Sequence, residues 1–122
     1  MEIEELGQFF FTLAVHLKLY HWNTGSYARH VASGTLFDGV ILAMDNFIEV
    51  YQGRHGKIFN KVEMKVEALN DVDIIKMLNE TKKVLIEFLN SKLDKDEDSD
   101  LLNIRDDLVS QINKTLYLFT LK

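Results

Sequence analysis

Four histidines, 19 carboxylates and no cysteine define the chemistry open to this 122-residue chain. Without thiols there are no disulfides, no iron–sulfur clusters, no Cys-ligated zinc and no thiol nucleophile. Any metal must be held by imidazole, carboxylate and water, a donor set that suits Fe(II), Mn(II) or Zn(II). His21 and His30 bracket a run of turn formers that starts His21-Trp22-Asn23-Thr24-Gly25-Ser26. Asp38, Asp45 and Glu49 follow. On a helix, Asp38 and Asp45 lie about 20° apart and Glu49 about 40° further round, so all three share one side. Like charges four residues apart repel unless a cation neutralises them. The plain alternative is a solvated acidic edge. His16 falls on an apolar stripe and reads as a core residue, and His55, near Gly53 and Gly56, reads as an exposed loop residue.

Other site types are missing. A di-iron centre inside one bundle needs Glu-x-x-His pairs. The residues three before His16, His21, His30 and His55 are Leu13, Lys18, Tyr27 and Gln52, so no such pair exists. Neither a phosphate-binding glycine loop nor a Gly-x-Ser-x-Gly elbow is present. The net charge of −5 argues against nucleic acid as a partner, because Lys and Arg on phosphate supply most non-specific affinity. No uninterrupted apolar run approaches ~18–20 residues, so no membrane span is expected. Met1-Glu2-Ile3-Glu4-Glu5 lacks the basic region of a signal peptide, and the expected location is cytoplasmic.

The elements that must position these residues are helices throughout. Ile3, Leu6, Phe10, Leu13, Leu17 and Tyr20 form the stripe of a first helix, which the pattern ends at His21–Ser26. A second runs from about Tyr27 to Gln52 on Phe37, Val40, Met44, Phe47 and Tyr51, with Gly53 and Gly56 as its stop. Asn70 reads as the N-cap of a third, lined by Ile74, Leu78, Leu85, Phe88 and Leu89. After an acidic turn, Asp94 to Ser99, a fourth spans about Asp100 to Leu121. The expected fold is a single all-α domain over 1–122, a four-helix bundle. Its middle connection, Gly53 to Leu69, is far longer than antiparallel neighbours need. A long crossover between helices two and three, which makes them parallel, is the ferritin-like arrangement, and an up-down bundle with a decorated loop is the alternative. Val62, Met64, Val66 and Ala68 alternate within the link, as a short strand or a poor helix would.

The stretch His21-Trp22-Asn23 … Gly25 … His30 … Asp45-Asn46-Phe47-Ile48-Glu49 resembles the Dps family of miniferritins over residues of about 15–53. The resemblance implies a ferritin-like fold and a homo-oligomer, a two-fold dimer at least and up to a dodecamer. It implies iron as the metal, with zinc or manganese as alternatives, at a ferroxidase-type site shared between subunits. His21 and His30 of one copy would meet Asp45 and Glu49 of its mate. Electrons would pass from Fe(II) to peroxide or dioxygen, and Trp22 would intercept stray radicals. Binding would weaken in acid, because coordination needs neutral imidazole. The chain departs from the family in three ways. The family's acidic residue four after the second histidine is Gly34 here, and Asp38, one turn on, is the candidate substitute through a water. The loop between the histidines is shorter, and no Lys-rich tail of the kind used to condense DNA is present. Gly34 and Gly39 each cost a helix about 1 kcal/mol relative to Ala. Close approach at a two-fold interface and simple tolerance both account for that. A competing expectation belongs to another class: a catalytically silent, metal-free ferritin-like structural or assembly module.

Overall fold

Four apolar stripes become four helices, two of them capped by the polar side chain just before them. The computed structural model describes residues 1–122. A 3-10 turn, Ile3–Glu5, leads into α1, Leu6–Asn23, and α2 spans Tyr27–His55. Asp71–Lys83, a π-helical stretch Val84–Phe88 and a last turn Leu89–Lys92 follow one another with helical dihedrals at each junction. Together they form α3, residues 71–92, and α4 is Ser99–Leu118. No strand is present, and residues 57–70 carry no regular structure, turn or bend.

Two helix ends differ from the sequence expectation. The first helix runs on through His21, Trp22 and Asn23, because the Asn23 side chain bonds the Leu19 carbonyl and the Thr24 N–H still reaches Tyr20. The turn is only Thr24–Ser26, and Ser26 caps α2 by accepting from the Arg29 N–H at 3.2 Å. Gly53 lies inside α2. Gly56 ends it with φ +95°, a left-handed conformation that glycine adopts without strain. Asn70 caps α3 as expected, accepting from the Val72 and Asp73 N–H groups.

Polar clusters tie both ends of the bundle. At one end the Tyr20 hydroxyl donates to Asp71 at 2.6 Å, Arg29 donates to the Tyr20 hydroxyl and the Asp71 carbonyl, and the Phe119 ring lies tilted against Tyr20. At the other, Arg54 and His55 reach Asp98, and Arg54 also grips Asp100 through both oxygens. The first cluster joins the ends of α1 and α4 to the starts of α2 and α3. The link therefore carries the chain back along the bundle, and α2 and α3 run in the same direction. On its way it passes α1, with Phe59 against Gly7 and the Glu63 N–H on the Gln8 side chain at 3.0 Å.

The interior is one cluster of 21 buried residues contributed by all four helices. Phe10, Leu13 and Leu17 of α1 meet Leu36, Val40 and Phe47 of α2, closed by Ile74, Leu78 and Leu85 of α3 and Leu101, Leu108 and Ile112 of α4. By length and mean hydropathy alone, 1.3 over its most apolar stretch, α2 passes for a membrane span. Ala32, Leu36, Val40, Ala43, Phe47 and Tyr51 serve the core, whereas Tyr27, Val31 and Leu42 are exposed on the side that also carries its three carboxylates. A side chain from another helix reaches the π-helical stretch. Arg105 of α4, almost fully buried, donates from Nη1 to the Leu85 carbonyl and to Asn90 Oδ1, both at 3.0 Å, while its Nε holds Asp106. A side chain inserted into the i→i−4 ladder is a recognised origin of helix distortion.

Candidate functional site: a locked histidine pair and an outward acidic face

His21 closes α1 and His30 opens α2, so the three-residue turn brings them together. Their rings stack with centroids 3.8 Å apart and 16° between planes. Each ring also bonds the other residue's backbone: His21 Nδ1 to the His30 carbonyl at 2.6 Å, and His30 Nδ1 to the His21 carbonyl at 2.8 Å. A carbonyl oxygen only accepts, so both Nδ1 atoms carry protons. In the neutral rings, both Nε2 lone pairs are left free. Metal-binding histidines are commonly set this way, with one ring N–H donated to a carbonyl so that the other nitrogen is fixed as a ligand.

Gly34 is part of the same lock. A Cβ there would come within 2.8 Å of His21 Cε1 and 2.9 Å of its Nδ1. The missing side chain is the space that the His21 ring occupies, which answers why glycine stands where the resemblance implies an acid. A Cβ at Gly39 would meet only the end of the flexible Gln111 side chain of α4, which can swing aside. Gly34 is therefore accounted for by a contact within one chain, and Gly39 is not.

Asp38, Asp45 and Glu49 are exposed and make no ion pair or side-chain hydrogen bond. Asp45 and Glu49 border a groove of about 700 Å³ between α2 and α4, with Asn46, Asp107 and Gln111. The chain does not bring them to the histidines. Asp45 lies 15 residues beyond His30 on one unbroken helix, about 22 Å at 1.5 Å per residue. Asp38 lies eight residues beyond, about 12 Å, which is too far for one water to bridge to His30. No group of three or more metal-ligating side chains forms within the chain. Trp22 follows His21 and stands 69% exposed with no hydrogen bond.

Residues 21–119 match the model of DUF5856, a family of unknown function. The chain belongs to that family. No curated protein and no solved structure matches it. The DUF5856 match opens at His21 and takes in His30, Gly34, Asp38, Asp45 and Glu49.

Two further polar sites of the DUF5856 chain escape a reading of its sequence. His55 is the last residue of α2 rather than a loop residue, and its Nε2 lies 3.0 Å from Asp98. Burial pushes the Asp98 carboxyl up, but the Asp94 N–H, His55 and Arg54 outweigh that and hold it below the usual range. The only local signal was two basic residues at the end of a helix, where they suit the dipole. His16 sits half-covered beside Glu67 of the link, with its Nδ1 enclosed and unpartnered. Burial lowers its pKa against the opposing pull of Glu67.

Proposed function

We propose that this chain is a divergent Dps-like miniferritin whose Fe(II) site is completed by a second copy. The observation that carries the reading is the reciprocal His21–His30 lock, which presents two fixed imidazole nitrogens with no partner inside the chain. The direction of α3 supports it, because a link that makes helices two and three parallel is the ferritin-like connection. Two α2 helices laid antiparallel about the neighbourhood of Asp38 and Gly39 would bring His30 of each copy level with the Asp45–Glu49 stretch of the other. Both groups lie near equal distances from that point, about 13 Å along the helix.

In this reading iron is the substrate. His21, His30, Asp45 and Glu49 bind it, and peroxide or dioxygen accepts the electron that converts each Fe(II) to Fe(III). His21 and His30 must be neutral to bind. Trp22, exposed beside His21, is placed to lose an electron to a stray oxidant. Gly34 leaves the His30 side of the site one carboxylate poorer than the family pattern, so weak binding is expected. The chain acts in the cytoplasm and needs neither DNA nor a membrane.

A second reading has its own support. The stack and the two hydrogen bonds fully account for His21 and His30 as a clasp between α1 and α2, with no metal needed. The chain would then be a ferritin-like assembly module. Anaerobic Fe(II) titration followed by optical monitoring of oxidation decides between them. The miniferritin reading expects saturable binding and an Asp45→Ala, Glu49→Ala double variant that oxidises iron far more slowly. Equal rates in the two proteins, or no binding in either, reject it in favour of the assembly module.

A further inference from the structure

The link between α2 and α3 is the segment whose backbone has the fewest partners. From Lys57 to Leu69 no N–H or carbonyl bonds another backbone group, and the one side-chain bond is Glu63 N–H to Gln8. The chain is drawn out here. It travels from the His55 end of α2 back to the level of Arg29, about 39 Å of helix, in 16 steps. Each step covers about 2.4 Å, well beyond a helical rise of about 1.5 Å and short of a strand's full extension of about 3.3 Å. Side chains alternate accordingly. Lys61 and Glu63 lie on one side, 3.0 Å apart and about three-quarters exposed, while Val62 and Met64, which alternate with them, are 44% and 42% exposed.

Glu63 turns its N–H towards Gln8 of α1. In an extended chain successive residues direct their N–H and carbonyl groups to opposite edges. The edge carrying the polar groups of Val62, Met64 and Val66 therefore faces away from the bundle, and none of those groups has a backbone partner. The sequence along it, Lys61-Val62-Glu63-Met64-Lys65-Val66-Glu67, is a charge palindrome of opposite sign about Met64.

We propose that the 61–67 segments of two copies of this chain pair as antiparallel strands centred on Met64. Lys61 then lies opposite the partner's Glu67 and Glu63 opposite the partner's Lys65. Val62 lies opposite the partner's Val66, and Met64 opposite the partner's Met64. Every charge meets its opposite, and cross-strand pairs of this kind stabilise a ladder. The register is specific. Sliding one strand by two residues sets Lys against Lys and Glu against Glu, and sliding by one sets charge against apolar. A parallel pair in register sets every charge against its like. The other edge of each strand is turned to its own α1, so the pairing stops at two chains. The inference goes beyond the iron reading and does not rest on it, since it needs a second copy but no metal.

The absence of cysteine gives a clean test by cross-linking the full chain. Opposed residues on the open edge stand about 5.5 Å apart between Cα atoms, within disulfide reach. Met64→Cys is expected to form a covalent dimer under mild oxidation. Val62→Cys alone is expected to form no covalent dimer, since its two copies lie about 14 Å apart along the ladder. A mixture of Val62→Cys and Val66→Cys chains should cross-link. Lys61→Glu with Lys65→Glu, added to Met64→Cys, makes the segment wholly acidic and should abolish the dimer. Adding Glu63→Lys and Glu67→Lys restores complementarity and should recover it. All these side chains are exposed, so far-UV circular dichroism should be unchanged. Failure of Met64→Cys to cross-link, equal cross-linking by Val62→Cys, or indifference to the charge set overturns the proposal. None of these results depends on iron.

Discussion

Replacing Gly34 by Ala tests the histidine lock without touching a histidine. In an exposed helix interior this change stabilises by about 1 kcal/mol. Here the new Cβ would sit 2.8 Å from His21 Cε1 and 2.9 Å from Nδ1, so the ring must leave. Its departure removes the bond from His21 Nδ1 to the His30 carbonyl, and it also unseats the reverse bond and the stack. Two hydrogen bonds at about 1 kcal/mol each outweigh the helix gain, leaving a net loss of about 1 kcal/mol. For a chain of this size that lowers Tm by about 4 °C. With His21 already replaced by Ala there is nothing to evict, and Gly34→Ala should instead raise stability by about 1 kcal/mol. The double-mutant cycle therefore carries a coupling of about 2 kcal/mol. Urea midpoints of the four proteins, at matched slopes and one protein concentration, measure it. If Gly34→Ala stabilises both backgrounds alike, the ring does not occupy that space and the reasoning from the lock to the free Nε2 atoms falls with it.

Three further outcomes are expected. Arg105→Ala leaves the Leu85 carbonyl buried without its donor and should cost about 2–3 kcal/mol, read as a Tm lower by about 10 °C; a loss under 1 kcal/mol would show that the π-helical stretch does not depend on Arg105. Asp98 has a depressed folded value, so its contribution is complete above the ordinary carboxylate range near 3.9 and is lost as pH falls through the folded value. The stability gap between wild type and Asp98→Asn should accordingly shrink in urea unfolding as pH drops from 7 towards 3, and a constant gap would contradict the shift. His16 has a lowered folded value, so the chain should lose stability as pH falls below about 6.5, where the unfolded histidine takes up its proton first. His16→Gln should remove that slope, and an identical slope in the variant would place its origin elsewhere.

What the sequence made legible was local. The Asn70 cap depends on a side chain reaching N–H groups two and three residues on, and the core stripes depend on spacing within single helices. The long link was visible as a gap in periodicity. What stayed hidden needed a partner from elsewhere in the chain. His55 looked like a loop residue because its neighbouring glycines are local, while Asp98 is 43 residues away. Gly53 has no feature of its own to separate it from Gly56, and only the positive φ of Gly56 decides which one stops α2. The donor to the Leu85 carbonyl in the π-helical stretch is an arginine on a different helix. Gly34 was noticed for the acid it lacked, but its role lies in the ring it admits. The same holds for the candidate site as a whole: its members could be named one by one, yet their distances along α2 appear only once the helix is known to run unbroken from Tyr27 to His55.

The two end clusters have a consequence for covalent continuity. The link leaves one cluster at His55 and enters the other at Asp71, so both its ends are anchored by contacts with other helices. Between them it contributes little to the core. A protease that cuts once near Met64 would separate the chain into two pieces of similar length, each carrying two helices. Phe10, Val40, Leu78 and Leu108 would still interlock across the cut. The bundle is thus divisible in sequence yet undivided in space, and its two halves are candidates to be expressed apart and to find each other again.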